Sequence, residues 1–80
     1  MTTHRPIYAI AADIRKDWRK VYFGATPYLV AMLALTSITD DYGADSAESI
    51  VRYFLSNATN YRGENARKYK AELKAMLSRR

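Results

Sequence analysis

One histidine, eight acidic side chains and a scatter of hydroxyls are what this chain of 80 residues offers for catalysis, and it has no cysteine. Without cysteine there is no disulfide, no thiolate zinc site and no thiol nucleophile, which suits a reducing compartment. His4 stands in an amino-terminal stretch, residues 1–5, that is expected to fray, and no second ligand or base lies at a spacing that would recruit it. The hydroxyls lack a Gly-x-Ser-x-Gly elbow and a second histidine. Asp13 and Asp17 fall one helical turn apart on a solvated flank, surroundings that do not raise a carboxyl pKa for acid catalysis. Gly63 is isolated, so no glycine-rich phosphate loop exists. Asp40, Asp41 and Asp45 cluster, but a calcium loop needs alternating ligands, glycine sixth and glutamate twelfth. Counted from Asp40, glycine is fourth and position twelve is Val51. These residues imply no enzyme, no cofactor and no metal site.

The elements that would position any site are read from periodicity. The run Pro27–Leu35, PYLVAMLAL, is free of charge, and the uncharged region extends from Val21 to Thr39. Ala, Leu and Met favour helix, and a helix apolar all round must be surrounded. Thr26 as cap and Pro27 in the first turn mark its start. Gly24 and Pro27 interrupt the uncharged stretch and its polar flanks dilute it, which argues for a buried helix over a membrane span. Before it, Ile7, Ile10, Ala11, Ile14, Trp18, Val21 and Tyr22 recur at helical spacing after Pro6, up to Gly24. Asp40–Asp45 reads as a turn. Asp45 or Ser46 then caps a third helix, with Ala47, Ile50, Val51, Phe54, Leu55 and Ala58 inward. Ala66, Tyr69, Leu73, Met76 and Leu77 stripe a fourth. The expectation is an all-α, single-domain four-helix bundle over residues 1–80. Its helices fall near 6–22, 27–38, 46–58 and 62–78, and the second is the most buried.

The net charge of +5 is unevenly spread: both ends are basic and the middle is acidic. Arg15, Lys16, Arg19 and Lys20 on the first helix and Arg67, Lys68, Lys70 and Lys74 on the fourth could contact phosphates, if the fold sets them on one surface. Of seven tyrosines, Tyr22, Tyr28 and Tyr69 fall on inward faces. Tyr53 is outward beside Arg52, a pairing enriched at protein interfaces. Tyr61 and Arg62, before Gly63, form a second candidate. Arg62 either ties the connection to helix-end carbonyls or binds a ligand phosphate.

The segments IAADIRKDW, YFGATPYLVAM, DSAESIVRYFLSNA and YRGENARKYKAEL resemble a group of small proteins from phages and mobile elements of Gram-positive bacteria, mainly actinobacteria. The likeness covers nearly the whole chain. It departs at Tyr61, where the group often has tryptophan before the Arg-Gly pair. The resemblance implies a phage or mobile-element origin and a bacterial cytoplasmic setting, and it supplies no activity. Two functions are therefore expected. The first is a non-enzymatic helical interaction module that docks on a host or phage protein through Arg52, Tyr53, Tyr61 and Arg62. The second is a basic nucleic-acid-binding protein using the eight cations above. A homodimer fits either one, and no membrane partner is expected.

Overall fold

The computed structural model describes residues 5–78. In chain order they form α1 (Ile7–Asp17), α2 (Thr26–Met32), β1 (Asp41–Tyr42), β2 (Asp45–Ser46), α3 (Ala47–Ser56) and α4 (Glu64–Ser78). β1 and β2 pair antiparallel, with Asp41 opposite Ser46 and Tyr42 opposite Asp45. The expectation of an all-α bundle is thus corrected to four helices plus a small two-stranded sheet. Each strand has two largely exposed residues, too few to imprint an alternating pattern on the sequence. Gly43 takes a φ of 61° as the first of two loop residues, the sign pattern of a tight hairpin turn that glycine tolerates.

The second correction concerns the uncharged run. α2 ends at Met32, and the following residues tighten into i→i+3 bonds, Ala34 N–H to the Ala31 carbonyl and Leu35 N–H to that of Met32. The reason lies in another element. Pro6 caps α1 without a side-chain bond, so the first amides of α1 need other acceptors. Ile7 N–H donates to the Thr36 carbonyl at 2.9 Å and Tyr8 N–H to the Leu35 carbonyl at 2.8 Å. Those two carbonyls cap α1 only because the chain leaves the α2 helix before reaching them. Thr26 does not cap α2 either. Ala25 is the cap residue, and the Thr26 hydroxyl donates back to the Tyr22 carbonyl at 3.4 Å.

α2 is not the enclosed pillar. Leu29, Ala31 and Met32 are buried, whereas Val30 is 56% exposed and Thr26, Pro27 and Ala34 also face out. The molecule measures 30 × 30 × 18 Å. Its short axis holds two layers of helices at ordinary packing distances, so every helix keeps an outer face. α2 packs on α1 and α3, and α1 also packs on α4. One core cluster joins Ile7, Ile10 and Ile14 of α1, Met32 and Leu35, Val51 and Phe54 of α3, and Leu73 of α4.

α1 stops at Asp17, short of the expected 22. Trp18 leaves the helix at φ −88°, ψ 88° while its N–H still reaches the Ile14 carbonyl at 2.7 Å. This bend turns the indole into the core. Tyr22, expected inward, is 40% exposed as a result. Arg5, expected to fray, is held by a two-pronged bridge to Glu72 at 2.9 Å and by Asp13 at 2.8 Å. Residues 1–4, including His4, lie outside the described residues, as do Arg79 and Arg80. Ser46 caps α3 by accepting from Ser49 N–H at 3.1 Å. α3 and α4 otherwise fall within two or three residues of expectation.

Asp40 organises the segment between α2 and the hairpin. Its carboxylate accepts from the Thr36 and Ser37 amides, both at 2.9 Å, and its own carbonyl accepts from Ala47 N–H at 2.8 Å. The bonds from Ser37 and then Thr36 hold its pKa below the usual 3.8. A depressed carboxyl contributes stability that is complete above its unfolded value and is lost as pH falls through its folded value. Stability should therefore fall on acidification below about pH 4, and Asp40→Asn should flatten that fall in urea melts taken at stepped pH. An unchanged acid limb in the variant would assign the loss elsewhere.

Candidate functional site

Four aromatic side chains are brought together on the α2–α3 side of the molecule. Phe23, in the link before α2, is 81% exposed, and its ring lies 4.9 Å from that of Tyr22. Tyr22 in turn folds back over Gly24. A Cβ at Gly24 would come within 2.5 Å of the Tyr22 ring and 3.1 Å of Asn57 Oδ1, so glycine is what permits this close approach. Asn57, at the end of α3, donates through Nδ2 to the Tyr53 carbonyl at 2.8 Å. Tyr53 is 51% exposed, its ring tilted against Tyr28 of α2 at 5.5 Å. Pro27 and Val30 are exposed on the outer face of α2, and Phe23 before it and Ala34 after it are exposed as well. The result is a largely uncharged aromatic and aliphatic surface, bordered by Arg52. That guanidinium donates to Glu48 at 2.7 Å, one turn earlier on α3.

The other sequence-derived candidates separate. Tyr61 is only 2% exposed, so its ring offers no surface to a partner. It stacks on Trp18 at 4.9 Å with 16° between the planes, and Phe54 meets the indole edge-on at 6.2 Å. The Tyr61 hydroxyl donates to Asp17 at 2.7 Å, and Asn65 donates to the same carboxylate at 3.0 Å. The Asn65 bond and then the Tyr61 bond lower the Asp17 pKa. Burial first, then the Asp17 bond, raises that of the Tyr61 phenol. Asp13 and Asp17 are therefore not idle solvated carboxylates: both tie α1 to its neighbours. Arg62 is exposed, with Nε directed at the Thr59 carbonyl at 3.4 Å.

The eight cations of the nucleic-acid reading do not share a continuous face. Asp17 meets Asn65, and Arg5 joins Asp13 to Glu72, so the seam between α1 and α4 carries carboxylates. Arg15 lies two positions beyond Asp13, on the flank of α1 turned away from this seam. Arg67, Lys70 and Lys74 lie on the flank of α4 opposite Glu72 and Asn65. The Lys68 ammonium lies over the Tyr69 ring at 5.9 Å, and Arg19 and Lys20 follow the bend at Trp18; these three and Lys16 are exposed.

Sequence periodicity missed Tyr22 as a surface group because it extended the first helix to it, and Val30 because it took the second helix as apolar on every side; Phe23 fell between the two expected helices and was given no role. The available signal was an aromatic pair directly before a glycine in an interhelical link. Among the described residues no group of three or more acidic or histidine side chains could hold a metal ion, and no helix is long and apolar enough to cross a membrane. Compared with family models, curated proteins and solved structures, the chain matches none.

Proposed function

We propose that this protein is a small non-enzymatic interaction module, an accessory protein of a phage or mobile element that docks on a host or phage protein. One observation carries the reading: Phe23 presents nearly its whole side chain to solvent, 81% exposed, just before the exposed Pro27 and Val30 of α2. A phenylalanine in water forgoes about 1.5–3 kcal/mol of burial, and contiguous apolar patches of this kind mark sites of association. Tyr53 and Tyr22 supply amphipathic rings beside it, the residue type that dominates interface energetics. The resemblance to phage and mobile-element proteins supports the origin and the bacterial setting.

Affinity capture from a bacterial host, with and without nuclease, tests this. The native chain is expected to retain a protein partner after nuclease treatment. The Phe23→Ser, Tyr53→Ser double variant should keep its melting curve and lose that partner. Retention of the partner by the folded variant refutes the aromatic surface as the docking site. Loss of all capture under nuclease favours the nucleic-acid reading, which on this fold rests on the flank of α4 bearing Arg67, Lys70 and Lys74 and not on α1.

A further inference from the structure

A concave site shares no residue with the aromatic face. A cavity of about 290 Å³ is lined by Tyr61, Arg62, Gly63, Ala66, Arg67 and Lys70. Three of these six are cations and none is an anion. Among the described residues no carboxylate pairs with any of the three. Glu64 belongs to the same turn but does not line the cavity.

The cations are differently prepared. Lys70 is half-buried and fixed: Nζ donates to the Tyr61 carbonyl at 2.6 Å and lies 5.7 Å from the centre of that ring. An ammonium has three protons, and this bond uses one. Desolvation first, then Lys74 and Arg62, lower its pKa, as expected where like charges crowd without a counter-ion. Arg62 is anchored through Nε alone, which leaves the outer fork of its guanidinium for a planar pair of oxygens. Arg67, one turn before Lys70 on α4, makes no bond to a side chain among the described residues. Gly63 has a φ of 118° and nothing within 4 Å of where a Cβ would stand, so the backbone there is open to an approaching group.

We infer that the Arg62–Arg67–Lys70 cavity is an oxyanion site that accepts a compact phosphate group, such as inorganic phosphate or a small phosphate monoester. Two arginine forks and one ammonium lining an open concavity match a tetrahedral dianion. An extended nucleic-acid backbone would instead need a track of cations continuing beyond the cavity, and the neighbouring α1 seam presents Asp13 and Asp17. The inference is independent of the aromatic docking surface.

The test titrates the full chain with inorganic phosphate at constant ionic strength, following amide resonances and melting temperature. Saturable shifts centred on residues 61–70 and a rising melting temperature are expected, since a ligand bound only by the folded state stabilises it. Arg62→Gln with Arg67→Gln should weaken binding at least about tenfold while leaving the melting curve in chloride unchanged. Arg15→Gln with Arg19→Gln, neither of which lines the cavity, should leave it unaltered. The inference is overturned by the absence of saturation across the millimolar range, by equal shifts with chloride, or by equal weakening in the Arg15 and Arg19 variant. Binding of a single-stranded oligonucleotide without binding of phosphate would likewise overturn it, in favour of a nucleic-acid track.

Discussion

Trp18→Ala is expected to remove about 3–5 kcal/mol of folding stability, a large part of the 5–15 kcal/mol or so available to a domain. Three elements depend on this one side chain. The indole is stacked on Tyr61 at 4.9 Å and edge-packed on Phe54 at 6.2 Å, so its loss opens a cavity between the end of α1, α3 and the lead-in to α4. The small core has little means of collapsing into that space. Tyr61→Phe separates packing from polarity: it keeps the stack, removes the 2.7 Å bond to Asp17, and should cost about 1 kcal/mol. Urea denaturation with an unchanged m-value reads both. If Trp18→Ala unfolded within about 1 kcal/mol of the native chain, the stack would be peripheral to stability.

The uncharged run offers the second large effect, because the fold divides it sharply. Met32→Ala is expected to cost about 2–5 kcal/mol, since Met32 is fully buried where α2 meets the core. Val30→Ser, two residues earlier in the same helix, should stay within about 0.5 kcal/mol, since its side chain is on the outer face. A helix enclosed on all sides would make both substitutions severe. Comparable losses at the two positions, measured by urea denaturation, would restore the buried-pillar arrangement.

Several features were legible in the sequence because they rest on local rules. The inward stripe of α3 follows from its spacing, and of the two cap residues the sequence offered, Asp45 and Ser46, it is Ser46 that caps the helix. Asp40–Asp45 was legible as a turn, with Gly43 at the position that needs a left-handed backbone. The outward position of Tyr53 followed from the same periodicity, although the lean of its ring on Tyr28 did not.

What the sequence could not reveal depends on partners distant along the chain. The apolar pattern continues through Leu33 and Leu35, yet α2 stops because the Leu35 and Thr36 carbonyls are used by the amides at the start of α1. Trp18 fits the stripe of the first helix, yet the chain bends there to reach Tyr61, which follows it by more than 40 residues. That contact also withdrew Tyr61 from the surface. The cationic cavity arises from Lys70 folding back to the Tyr61 carbonyl beside Arg62 and Arg67. By itself the sequence determined that four helices form, the inward face of the third, and the absence of cysteine chemistry, because each depends on near neighbours or on composition. The tertiary structure alone decided where the first two helices end, which aromatics are buried and which cations converge, because those outcomes are set by hydrogen bonds and packing between remote segments.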